Sequence, residues 1–95
     1  MTGAQLIAAE RSRQIASEGY ASDHDDQHTN GELVAAACAL AQHSFWQDGQ
    51  GLDARILGWP WGDDTWKPKD PFTDLVRAGA LIAAEVDRLS RAARP

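Results

Sequence analysis

The sequence predicts a small all-α domain of about three helices carrying two aromatic, charged loops, and three observations predict it. Apolar residues recur at intervals of three and four rather than two. Glycines and prolines gather between Asp48 and Pro71, with Gly49, Gly51, Gly58, Pro60 and Gly62 ahead of Pro68, which breaks any long regular element there. Nearly all the chemically distinctive residues fall in two stretches, Glu18 to His28 and Trp59 to Asp70, and the remainder is plain Ala- and Leu-rich helix.

The first helix is expected from about Thr2 to Ser17. Leu6, Ile7, Ala9 and Ile15 form a loose apolar face, Glu10, Arg11, Arg13 and Gln14 form the polar one, and Gly19 is the stop. After an acidic loop, Thr29-Asn-Gly-Glu32 has the spacing of a capping box, in which hydroxyl and carboxylate each satisfy a backbone amide, so a second helix is expected from about Gly31 to Gln42. Its Ala35, Ala36, Ala37, Ala39 and Ala41 leave little side-chain volume, which lets a neighbouring helix or a ligand approach its backbone closely. The third helix opens with Asp70 placed to cap and Pro71 at the first helical position. It carries Leu75, Gly79, Ile82, Val86 and Leu89 at alternating spacings of four and three, the clearest periodic signal in the chain. Gly79 costs about 1 kcal/mol against Ala in a helix, so it points to a close approach, with a bulky core side chain favoured over a ligand. The basic end, Arg88 to Pro95, is expected to fray.

Ninety-five residues make one domain, 1–95, and a fold of this size buries only roughly 60 to 70% of its extended-chain surface, so self-association is expected as a source of further burial. A formal charge of −5 argues against a nucleic-acid polymer as partner, because phosphate backbones are held by clustered Lys and Arg. A small nucleotide needs only one or two local cations and stays open. The single cysteine, Cys38, lies among alanines where a small apolar residue packs well and cannot staple a fold, which indicates a reducing compartment. No stretch approaches the roughly 18 apolar residues of a membrane span, and no basic segment with an apolar core stands at the N-terminus. The expected location is the cytoplasm, here of a host cell, with no membrane partner.

The two loops carry the candidate site. His24 and His28, four apart with Asp25 and Asp26 between them, have the residue types of a metal site if they lie on a helix. The capping signal places the helix start after Asn30, so a turn is expected instead, in which the aspartates sit favourably ahead of a helix N-terminus. Two histidines and Tyr20 in the same loop offer ring faces and donors suited to a base or a ribose. The second loop holds Trp59, Trp61 and Trp66, some of which must be core in so small a protein. Trp66-Lys67 is the preferred pair for stacking on a base and meeting a phosphate, with Trp61, Lys69 and Arg13 beside it. Arg11 and Arg77 are further cations. No nucleophile elbow, Gly-rich phosphate loop or reactive cysteine is present. The paired carboxylates with which all-α nucleotide pyrophosphohydrolases hold magnesium are absent too, since Glu10, Glu32 and Glu85 are followed three positions on by Arg13, Ala35 and Arg88. No cofactor is expected.

The segments Glu10-Arg-Ser-Arg-Gln14, Glu18-Gly-Tyr20, His24-Asp-Asp-Gln-His28, Gly31-Glu-Leu33, Trp59-Pro-Trp61, Trp66-Lys-Pro68 and Leu75 to Glu85 resemble a family of short, mostly uncharacterised phage and prophage proteins across nearly the whole chain. Gly19-Tyr20 and Asp25-Asp26 are also similar to elements of the RyR domain, first named from ryanodine receptors. Tyr stands here for that domain's usual Trp, and its Pro before the second helix is missing. The resemblance implies binding of adenine nucleotides in a prokaryotic conflict setting. The expected function is a phage protein that sequesters an adenine-containing immune signal without turnover, through Arg13, Tyr20, His24, Asp25, Asp26, His28, Trp61, Trp66, Lys67 and Lys69. The alternatives are a metal-assisted nucleotide hydrolase using His24, Asp25, Asp26, His28 and Glu32, and a protein inhibitor that docks its aromatic loop on a host enzyme.

Overall fold

A computed structural model describes residues 1–19, 22–45 and 58–94. Among these residues there is no strand, and four helices run in the order α1 (Gly3–Glu18), α2 (Ser22–Asp25), α3 (Glu32–Phe45) and α4 (Pro71–Ala92), with a 3-10 turn at Asp63–Thr65. Tyr20, Gly49 and Gly51 lie outside the described residues.

The start of α1 is fixed by a capping box absent from the sequence-based expectation. The Thr2 hydroxyl accepts the Gln5 amide at 3.1 Å, and the Gln5 side chain accepts the Thr2 amide at 2.7 Å. Gly19 ends the helix in the left-handed conformation, φ 72°, donating its N–H to the Gln14 carbonyl. The capping box expected at Thr29 does not form. Glu32 is itself the first residue of α3, and its carboxylate accepts the Asn30 amide at 2.6 Å. At α4 the expected start holds, with Asp70 at the cap and Pro71 inside it. Its fourth residue, Asp74, reaches back to accept the Lys69 amide at 2.7 Å.

The α3 and α4 helices are antiparallel, because His43 near the end of α3 meets Asp74 near the start of α4 at 2.9 Å. They pack through Leu33, Ala36, Ala37 and Leu40 against Ala78, Leu81 and Ala84, and Trp59, Trp61 and Trp66 close over this core. The alanines allow the close approach anticipated from the sequence. Gly79 permits another, since a Cβ there would stand 2.6 Å from the Ile7 Cδ1 of α1.

Four expectations are corrected. The stripe Leu75, Ile82, Val86 and Leu89 is exposed, and α4 instead buries Asp74, Ala78, Ala80, Leu81, Ala84 and Glu85. On α1 Gln14 is buried and Ile15 exposed, because charged partners receive this helix beside the Ile7 contact with α4. Arg11 reaches Asp25 of α2 at 2.8 Å and Asp87 of α4 at 3.8 Å. Cys38 is exposed rather than packed. The basic end does not fray before Ala92, since Arg88 is bound to Glu85 and Arg91 to Asp26 at 2.8 Å. No described helix is long and apolar enough to cross a membrane.

Candidate functional site

A row of aromatic rings joins the two loops within one chain. His24 of α2 meets His28 edge-on with centroids 4.8 Å apart, and His28 meets Trp61 at 5.2 Å. Trp61 packs on Trp59 at 5.2 Å, Trp59 on Trp66 at 5.0 Å, and Trp66 on His43 of α3 at 5.6 Å. Edge-to-face and tilted contacts of this kind set positive ring edges against negative faces and add to the area each ring buries. The 3-10 turn locks the second loop. Its Thr65 hydroxyl donates to the Gly62 carbonyl at 2.6 Å and accepts the Trp59 indole N–H at 2.9 Å.

Between this row and the end of α1 lies a cavity of about 500 Å³. Its aromatic wall is His24, His28, Trp59 and Trp61, and its polar wall is Glu18, Asp64, Thr65, Lys67 and Arg77. A second cavity, about 410 Å³, shares Glu18, Lys67 and Arg77 and adds Glu10, Arg13, Lys69 and Thr73. The result is one groove, aromatic at one end and cationic at the other, with a volume ordinary for a small-molecule site.

The cations have different duties. Arg13 donates two hydrogen bonds to Glu10, each 2.7 Å, and stands 3.1 Å from Glu18. Those donated bonds hold the Glu10 carboxyl below its usual range and keep the Arg13 guanidinium still more firmly protonated. Arg77 donates to the Lys67 carbonyl at 2.8 Å and lies 3.7 Å from buried Asp74, so it ties the second loop to α4. Lys67 and Lys69 carry the ammonium groups of the exposed rim.

Of the residues singled out from the sequence, His24, His28, Trp61 and Lys67 line the first cavity, and Arg13 and Lys69 the second. Tyr20 lies outside the described residues. Asp25 does not face the groove. It is wholly buried, with one carboxylate oxygen taken by Arg11, because α2 turns it beneath the loop. Asp26 points to Arg91, away from the lining. Trp66 packs on the core and on His43 and lines neither cavity, whereas Trp59 and Trp61, which also close over the core, line the first. Trp59, Glu18 and Thr65 were not singled out as lining residues. A Trp-Pro-Trp segment flanked by Gly58 and Gly62 was the available signal, since alternate residues of an extended segment can share one wall.

His28 Nδ1 lies 3.5 Å from Glu32, and its Nε2 is buried without a hydrogen-bond partner. Glu32 is held below its usual carboxylate range by its own amide and that of Asn30. With Asp25 turned inward and Asp26 outward, no three His, Cys, Asp or Glu side chains among the described residues converge as a metal-holding group. The Thr65 hydroxyl is engaged on both sides and is not paired with a base. No family model, curated protein or solved structure matches the chain.

Proposed function

We propose that this chain binds a small adenine-containing nucleotide in the groove and holds it without turnover. One observation carries the reading: a wall of Trp59, Trp61, His24 and His28 stands beside a rim with Lys67 and Lys69, in a cavity sized for a nucleotide. A base has a π-face for the aromatic wall, a contact worth about 1–3 kcal/mol in nucleic-acid binders, and its phosphates need cations a few ångströms away. Arg13 and Arg77 shape this end but are occupied by carboxylates and a carbonyl, so Lys67, which lines both cavities, carries the phosphate, with Lys69 adding positive charge to the same rim. Together with the resemblance to phage proteins, the reading extends to sequestration of a nucleotide signal of host immunity.

The test is titration of the intrinsic Trp fluorescence with AMP, ADP-ribose and cyclic adenine dinucleotides, followed by heat release and chromatography. Saturable binding with the ligand recovered intact is expected. Lys67→Glu should weaken it by roughly 10-fold or more, since a charge-assisted contact is worth about 1.5–3 kcal/mol. Unchanged affinity in that folded variant would remove the site. A cleaved product would replace sequestration with hydrolysis, and no binding of any of the panel would leave the aromatic loop to a protein partner.

A further inference from the structure

On the side away from the groove, α3 and α4 present an apolar face that the described chain leaves largely bare, Ile7 of α1 meeting it only at Gly79. On α4 it consists of Phe72, Leu75, Ile82, Val86 and Leu89, on either side of Gly79, where Ile7 of α1 packs. On α3, Val34, Cys38 and Phe45 lie on its exposed side, while Ala41 between them is turned partly into the core. The large residues of this set are between 43% and 75% exposed. Both stripes lie on one flank of the helix pair. At 100° per residue they fall on the opposite side of the α3–α4 contact from His43 and Arg77, which face the tryptophan loop. No charged residue stands in either stripe, in a chain that is 24% charged.

We infer that this face joins two copies of the chain into a symmetric dimer, with α3 and α4 of each copy forming half of a four-helix bundle. Four arguments commit the face to a second copy. The alternation of three and four is the period at which side chains of one helix enter the gaps of another at a shallow crossing angle. Two antiparallel helices already supply a layer that a twofold axis completes, as bundles require. The stated exposures amount to roughly 600–700 Å² per copy. That stands at or above the about 300–600 Å² patch a monomer usually leaves bare, and full burial on both copies would reach the lower end of the roughly 1,200–2,000 Å² of stable interfaces. Finally, the helix pair keeps little of its apolar volume inside: its packed core holds Leu33, Leu40 and Leu81 with four alanines, while Val34, Phe45, Phe72, Leu75, Ile82, Val86 and Leu89 of the same two helices lie outside. The dimer uses the apolar inventory that the monomer leaves idle. It places the two grooves on opposite outer surfaces, each built within one chain, and it does not depend on what the groove binds.

Sedimentation equilibrium of the full chain at about 50 µM tests the proposal. The expected mass is twice the 10.3 kDa of one chain. Ile82→Glu with Val86→Glu should sediment at the single-chain mass while keeping its helical circular dichroism, because neither residue belongs to the packed core. Val34→Lys, on the other helix, should do the same and guards against a folding defect in the first variant. Cys38, the only cysteine, should react with a thiol reagent at least tenfold faster in the variants than in the parent. A parent that sediments as one chain overturns the proposal and gives the face to a different cover. A dimer that persists in both folded variants overturns the surface assignment.

Discussion

Arg11 is the residue on which the seating of α1 turns, and its replacement by Met gives a sharp test. The guanidinium is bound to Asp25 at 2.8 Å and lies 3.8 Å from Asp87, so one side chain ties α1 to α2 and to α4. The Asp25 side chain is completely buried and that of Arg11 is 12% exposed, so the surface-pair value of about 0–1 kcal/mol does not apply. Removing one member of a buried pair leaves the other charge uncompensated, at a cost of about 3–5 kcal/mol. A chain of this length has a total stability of about 5–14 kcal/mol, so the loss is a large fraction of it. Each kcal/mol shifts the midpoint by about 4–8 °C in a domain this small, which predicts a fall of at least about 12 °C in thermal unfolding at fixed protein concentration. Met retains the apolar stem, so lost packing contributes little. A double-mutant cycle with Asp25→Leu isolates the pair, because replacing both partners by apolar groups is far less costly than removing one. The expected coupling is about 2 kcal/mol or more. A drop below about 4 °C for Arg11→Met, with additive effects in the cycle, would refute the account of α1 as a helix held by its polar face.

Other substitutions probe other joints. Gly79→Ala should lower stability by up to about 2 kcal/mol, the overpacking against Ile7 outweighing the gain in helix propensity, and should become stabilising when Ile7 is also Ala; the same sign in both backgrounds would contradict the close approach. Ala36→Leu, at a fully buried position between α3 and α4, should cost about 1–3 kcal/mol in urea unfolding, and a neutral result would mean the helices stand further apart. Glu10→Gln should be less stable than the parent at pH 7 by about 0.5–1 kcal/mol. Because Arg13 depresses the Glu10 carboxyl in the fold, that contribution is present above the unfolded value near 4.5 and is lost as pH falls through the folded value. The difference between parent and Glu10→Gln should therefore close in acid, and a gap that persists at about pH 2 would assign it to packing instead.

Local signals were legible in the sequence where they depend on backbone chemistry. Gly19 and Asp70-Pro71 mark helix ends because a left-handed cap and a fixed φ are properties of those residues alone. The alanines of α3 announced a close neighbour because volume is also local. Thr29 misled because the capping-box spacing is met equally by a register in which Glu32 starts the helix and caps Asn30. The site was partly legible: His24, His28, Trp61 and Lys67 share one cavity, but whether an aspartate faces in or out depends on a distant arginine. Asp25 goes in because Arg11 awaits it, and Asp26 goes out to Arg91, sixty-five positions away.

Periodicity identifies which side of a helix is apolar, and only the supply of partners decides whether that side lies inside. In α1 and α4 of this chain the usual equation of apolar with inward fails twice, for related reasons. The inner side of α1 sets Arg11 beside Ile7 because α2 and α4 offer it carboxylates as well as the gap at Gly79, and the inner side of α4 is small because α3 is built of alanine. What α4 has left over, Leu75, Ile82, Val86 and Leu89, costs free energy in water at roughly 25 cal/mol per Å² and contributes nothing to the packed core. A helix with alternation this regular, met among the described residues only by Ile7 at Gly79, is best explained by a partner of the same period. A second copy of α3 and α4 is the nearest surface that has it.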